Sequence, residues 1–246
     1  MRRALLAGAF AAAAQAAAPS TAGAEPCSLA IALALDISSS VNAAEYQIQK
    51  GGLAAALRHP DVRRAILASP GVVKMIVYEW SGWQQQDVIV GWTSLSEPAD
   101  IDALADQVDR HQRRYAEFST ALGEALEFGA SLFDRLPQPC ARKVIDVSGD
   151  GVTNQGPSPL PLRLTPAFRG LTVNGLVIKG ASPDPEAHYR REVISGPGAF
   201  LVVARNGFED YPDLIIGKLV REIEPPVYIG AAEPAPGERD EETTVR

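Results

Sequence analysis

Six stretches of the chain are apolar over the length of a β-strand, and segments with helical periodicity fill the intervals between them. The strand candidates are Leu29–Leu35, Val72–Trp80, Val88–Trp92, Lys143–Val147, Thr172–Ile178 and Ala199–Ala204. In LAIALAL, KVIDV and TVNGLVI the apolar positions run almost without a break. Such runs suit the central strands of a parallel sheet covered on both faces, whereas a strand with one wet face alternates. Only a short Ser-Gly-Trp turn region separates VVKMIVYEW from QQDVIVGW. A parallel crossover does not fit into that length, so this pair reads as an antiparallel hairpin.

Asn42 is placed to cap a helix over Ala43–Leu57, with Glu45 as its capping-box partner. Further helices are expected over Asp61–Ala68, Pro98–Arg113, Ala121–Leu136, Pro185–Ile194 and Tyr211–Ile223. Leu122, Ala125, Leu126, Gly129, Leu132 and Phe133 give the fourth of these one apolar face. Strands alternating with helices specify an α/β fold: a doubly wound, mostly parallel six-stranded sheet with one antiparallel edge strand and helices on both faces. No internal repeat is visible. From Pro225 the chain has four prolines, five acids and no aromatic after Tyr228, which reads as a disordered acidic tail over 225–246.

Composition refines the setting. The chain has 246 residues, 46% hydrophobic and 22% charged, enough for one substantial core. Arg2 and Arg3, the apolar run Ala4–Ala14 and the small-x-small site Ala22-Gly23-Ala24 read as a secretory signal over 1–24. The run is too short to span a bilayer, and no later stretch is long enough. The expected mature domain, 25–224 with its tail, is therefore secreted or periplasmic. Removing the signal takes away two arginines and no acid, which moves the net charge from −7 to −9. An acidic chain without a basic stripe argues against nucleic acid and anionic membrane surfaces as partners. Ala24-Glu25-Pro26 before Cys27 does not resemble a lipid-attachment box.

The first strand runs into Asp36-Ile37-Ser38-Ser39-Ser40, directly before the first helix. In open α/β sheets ligands collect where strands end and helices begin. A carboxylate and two hydroxyls at alternate positions there form an oxygen-only set, suited to Mg²⁺, Mn²⁺ or Ca²⁺ and not to zinc. Short acidic and serine-rich turns are also common as plain turns, so D-x-S-x-S alone leaves both readings open. Two more segments bear on the choice. Ser119-Thr120 opens a helix with a hydroxyl, and KVIDVSGDG is a buried strand running into Asp150.

Together these segments resemble the von Willebrand factor type A (VWA) domain family. Its metal-ion-dependent adhesion site (MIDAS) combines D-x-S-x-S, a Thr and an Asp in that order. The match falls on Asp36, Ser38, Ser40, Thr120 and Asp150, and it spans nearly the whole mature domain. The chain is similar, more closely, to a proteobacterial family of secreted VWA-like proteins of unknown function. YEWSG (Tyr78–Gly82), IDVSGDG (Ile145–Gly151), NGLVIKG (Asn174–Gly180) and SGPGAF (Ser195–Phe200) carry that likeness.

The resemblance implies hydroxyls of Ser38, Ser40 and, in the ligand-ready state, Thr120 directly on one divalent cation, Mg²⁺ first. Asp36 and Asp150 would mostly hold its waters, and an open position would accept an Asp or Glu of a protein partner. The chain departs from the pattern at Gly149, where the family more often has a hydroxyl; here the hydroxyl is one residue earlier, at Ser148. The VWA sheet order also makes the strands after Cys27 and Cys140 parallel neighbours, which implies a disulfide at the end opposite the metal, with two buried thiols as the alternative.

Other residues have two readings each. Asp146 is either a group below the metal or a structural contact to a backbone amide, a hydroxyl or Arg142. Glu79 either touches metal-bound water or is an exposed strand-end acid. Trp80, Trp83 and Trp92 read as core or cover, with an exposed one free to meet a ligand. His59, His111 and His188 share no ligand-like spacing and are given no role. Three functions follow: a metal-dependent binding module, a Mg²⁺-dependent hydrolase, or a VWA-like scaffold without a functional metal. The chain has no D-x-D after its first strand, no G-x-S-x-G and no Walker loop, and no histidine is expected near the strand ends, so the expectation is a binding module and not an enzyme.

Overall fold

The computed structural model describes residues 25–224. The signal and tail read from the sequence, 1–24 and 225–246, lie outside the described residues. Strands β1 (Cys27–Asp36), β2 (Val72–Trp80), β3 (Gln86–Leu95), β4 (Cys140–Gly149), β5 (Leu171–Ile178) and β6 (Leu201–Ala204) form one sheet in the order β3-β2-β1-β4-β5-β6. All neighbours are parallel except β2 and β3, which form the expected hairpin.

β1 lies at the centre and shows how the two faces differ. Leu29, Ile31, Leu33 and Leu35 point into a core shared with α1 (Ala43–Arg58), α2 (Pro60–Leu67), α3 (Pro98–Arg110) and α7 (Tyr211–Ile223). Ala30, Ala32 and Ala34 point the other way, toward α4 (Leu122–Leu132). Alanines on that face let the helix come close. Gly129 of α4 is where it meets Tyr78: an added Cβ would lie 2.4 Å from the phenol oxygen, which donates to Ala125 O at 2.9 Å.

Cys27 and Cys140 sit opposite each other at the start of β1 and β4 and form the disulfide. It closes a loop over a separation of 113 residues. Bridges over such long loops stabilise small domains by about 2–5 kcal/mol.

Several expected helices end early or change form. The Pro98 helix stops at Arg110 instead of Arg113, with His111 extended. Beyond it the Arg113 side chain turns away to bind carbonyls of the β1–α1 loop. The fourth helix ends at Leu132 and continues as one 3₁₀ turn, Phe133–Arg135. The Pro185 segment is helical only as α6 (Pro185–His188) and then widens into a π turn over Tyr189–Val193. A short helix, α5 (Pro159–Leu162), and two 3₁₀ turns, Pro166–Phe168 and Gly207–Asp210, have no counterpart in the sequence reading.

Asp146 is a structural group, with a cationic partner that the sequence did not single out. It is paired inside the α7 face with Lys218, whose Nζ also lies 2.6 Å from Glu222 Oε1. Asn174 Nδ2 donates to the same Glu222 oxygen at 2.9 Å, and Arg142 donates to the Glu222 carbonyl at 2.6 Å. Two acids and one cation are thus buried together. Burial first, and the neighbouring Asp146 second, push the Glu222 carboxyl up to about 8, against the pull of Lys218. The folded chain thus keeps a proton that the unfolded chain releases near its ordinary value of 4.5. The stability from this group is fully present below about pH 4.5 and is lost as the pH rises through about 8. In chelator, urea unfolding between pH 5 and 9 should show stability falling with pH, with a shallower fall in Glu222→Gln.

Candidate metal site at the strand ends

The five residues picked out by the sequence come together at the C-terminal ends of β1 and β4. β1 delivers Asp36, fully buried, and the chain then turns through Ile37–Val41 into α1. The turn is held from several sides. Ile37 N donates to Trp80 O at 2.8 Å, Asp36 Oδ1 accepts from Ser38 N at 2.7 Å, and Gln49 Nε2 donates to Asp36 O at 2.8 Å. The Asn42 side chain caps α1, with Glu45 completing the capping box as expected.

Hydroxyls then bridge to the second acid. Ser38 Oγ and Ser40 Oγ are 3.1 Å apart, and Ser40 Oγ donates to Asp150 Oδ1 at 2.6 Å. Thr120 is buried just before α4. Its backbone N donates to Asn154 Oδ1 at 2.8 Å, and its hydroxyl oxygen lies 3.3 Å from where a Cβ on Gly151 would be, next to Asp150. Three separate chain segments therefore present two carboxylates and three hydroxyls at one place.

The electrostatics there are unbalanced. Among the described residues neither Asp36 nor Asp150 has an ion-pair partner, and Asp36 Oδ2 is buried without a hydrogen bond. Burial first, then the negative charge of Asp150, raise the Asp36 carboxyl to about 7. Burial likewise raises Asp150. Among the described residues no three His, Cys, Asp or Glu side chains cluster as a metal group, so any cation here would depend on hydroxyl donors as well. An oxygen-only set with an orphaned carboxylate oxygen fits a hard divalent ion.

Tyr189 was not singled out from the sequence. Among the described residues its buried hydroxyl has no hydrogen-bond partner, and it faces the notch at Gly149. A Cβ there would lie 2.6 Å from both Asp36 Oδ2 and Tyr189 Oη. The missing side chain at 149 thus makes room for a tyrosine hydroxyl beside the orphaned carboxylate oxygen. Ser148 does not stand in for it: its hydroxyl faces Ala34 O and Gln49 Oε1, at 3.4 and 3.3 Å. No sequence signal distinguishes Tyr189 from an ordinary core aromatic.

Glu79 is neither exposed nor turned to solvent. It accepts from Tyr46 Oη at 2.6 Å and lies 3.2 Å from His111 Nε2, at 0% exposure. Histidines do reach the strand ends, contrary to expectation. His111 meets Glu79, and His188 Nε2 lies 3.2 Å from Thr153 Oγ1, close after Asp150. Of the tryptophans, Trp80 is core, Trp92 donates to Leu132 O at 2.9 Å, and Trp83 stands 56% exposed on the β2–β3 turn.

A family model described as protein of unknown function (DUF1194) matches residues 26–227. The chain belongs to that family. No curated protein matches it. Among solved structures, proximal thread matrix protein 1 from the mussel byssus, with a zinc-occupied MIDAS motif, aligns at a TM-score of 0.55 and 18% identity, over 80% of this chain and 46% of its own. A von Willebrand factor type A protein from Catenulispora acidiphila aligns at 0.52 and 17%, over 80% and 42%. BatB, a conserved hypothetical protein from Bacteroides thetaiotaomicron, aligns at 0.52 and 15%, over 78% and 99%. The DUF1194 chain thus has the VWA-type fold and spans less than half the length of the first two of these proteins.

Arg113 holds the site's loop from outside. Its guanidinium donates to Ile37 O at 2.7 Å, Ser38 O at 3.0 Å and Val41 O at 2.8 Å, and it stacks over Tyr46 at 5.6 Å. Charge-assisted bonds of this kind are individually worth about 1.5–3 kcal/mol. Arg113→Ala should raise amide exchange across residues 37–41 and lower stability by roughly 2 kcal/mol, with Arg113→Lys restoring only part of both because it lacks the fork.

Proposed function

We propose that this DUF1194 protein is an exported binding module that holds one divalent cation, Mg²⁺ first with Mn²⁺ or Ca²⁺ able to replace it, and captures an Asp or Glu of a protein partner. The observation that carries this reading is the pair of buried carboxylates, Asp36 and Asp150, joined through serine hydroxyls and left without a cationic side chain among the described residues. Burial first, and the charge of Asp150 second, raise the Asp36 carboxyl, a cost that a bound cation would offset. Ser38, Ser40 and Thr120 would hold the ion, with Asp36 and Asp150 on its waters, and the ion would supply the Lewis acidity that grips a carboxylate.

Binding is favoured over catalysis because the nearby bases are already engaged. His111 is taken up by Glu79, and His188 by Thr153 and Glu192. A location outside the cytoplasm is supported by the disulfide and by the secretory-type N-terminus. Among the described residues no helix is long and apolar enough to cross a membrane.

Calorimetric titration of the chelator-stripped protein should show one saturable Mg²⁺ or Mn²⁺ site, absent in Asp36→Ala with an unchanged circular dichroism spectrum. The mussel neighbour's MIDAS motif holds zinc, so Zn²⁺ belongs in the titration as a competitor. No binding to the unmodified chain would leave only the metal-free scaffold.

Tyr189 gives a second handle. A buried hydroxyl with no partner costs about 1–3 kcal/mol, so Tyr189→Phe should leave the metal-free protein as stable or more so. If the hydroxyl supports the hydrated ion, the same change should weaken Mg²⁺ affinity several-fold. Thermal unfolding in chelator, set beside calorimetry, separates the two effects.

A further inference from the structure

Ser40 and Asp150 form one wall of a groove of about 440 Å³ that continues across the ends of β5 and β6. Lys179, one residue past β5, and Arg205 and Asn206, just past β6, line its far side. The two cations are not equivalent. Lys179 Nζ lies 2.8 Å from Asp184 and 3.2 Å from Glu186, so its charge is neutralised within the chain. Arg205 is exposed, and among the described residues its guanidinium has no hydrogen bond or ion pair. Glu45 also lines the groove, but its carboxylate is bound to Asn42 N at 2.8 Å in the helix cap.

Two exposed aromatics stand on the opposite flank of the site. Ser39 N donates to Phe118 O at 2.9 Å, and Phe118 and Trp83 stand 41% and 56% exposed beside that turn.

We propose that Arg205 receives a second carboxylate from the same partner, so that the face selects an acidic pair: one side chain on the ion, the other on the guanidinium. This rests on the metal–carboxylate reading above. A guanidinium offers a planar fork that matches a carboxylate. On a chain of net charge −7, an exposed arginine that has no ion pair among the described residues, in the same groove as Asp150 and Glu45, marks where an anionic segment can approach. A contact at the rim governs which partner is chosen more than how tightly it binds.

The test is selection of a displayed random-peptide library on the purified protein in Mg²⁺, with elution by chelator, repeated on Arg205→Glu. Chelator-released peptides should carry two acidic residues at a recurring spacing. Selection on Arg205→Glu should replace one of them by Lys or Arg. Individual peptides should weaken roughly three- to tenfold on Arg205→Glu, less on Arg205→Ala, while both variants keep their Mg²⁺ affinity and melting temperature. Chelator-released peptides with a single acid that bind Arg205→Glu equally well overturn this inference and leave the metal reading standing. Peptides that bind equally in chelator, or no Mg²⁺-dependent peptides at all, overturn both.

Discussion

A fully enclosed carboxylate at the end of the central strand is the constraint on which the site depends. Asp36 is fully buried, and its backbone is fixed by β2 on one side and by Gln49 of α1 on the other. Desolvation of a carboxylate is tolerated only with compensation. One oxygen has it, from the Ser38 amide; the other does not. The loop cannot relax to relieve this, because Arg113 grips three of its carbonyls. The fold therefore maintains an electrostatic deficit at one defined point.

A contrast four residues apart on the same strand shows that this deficit is local. Asp146 faces α7, and the chain supplies its cation from within, through Lys218. Asp150 lies past the strand end, accepts from the Ser40 hydroxyl and has no ion pair among the described residues. Buried acids are thus handled in two ways within one strand: an internal counter-charge where the core must be closed, and none where the surface opens. Replacing the first arrangement with apolar residues can be neutral for stability. The second has no such substitute if an ion is to be held.

The sheet was legible because its central strands are apolar on both faces, a pattern that survives without knowledge of tertiary contacts. The positions of Asp36, Ser38, Ser40, Thr120 and Asp150 were legible because they sit at strand and helix ends, where order along the chain already fixes their place. Tyr189, Arg113 and Lys218 were not, since each acquires its role from contacts dozens of residues away. Glu79 was misplaced for the same reason: Tyr46 of α1 and His111 cover it. The α5 turn, only four residues long, carries no periodicity to read; Pro159 stands at its first position, where a proline loses no hydrogen bond.

The cross-link at the foot of the sheet ties together the two strands that carry the acids at its summit. A slip of one residue between them would turn every side chain of β4 to the opposite face. Oxidation of a single thiol pair thus locks the alignment that brings Asp150 beside Ser40. For such a chain, closing this one bond is the event after which the strand alignment beneath the two acids is covalently secured.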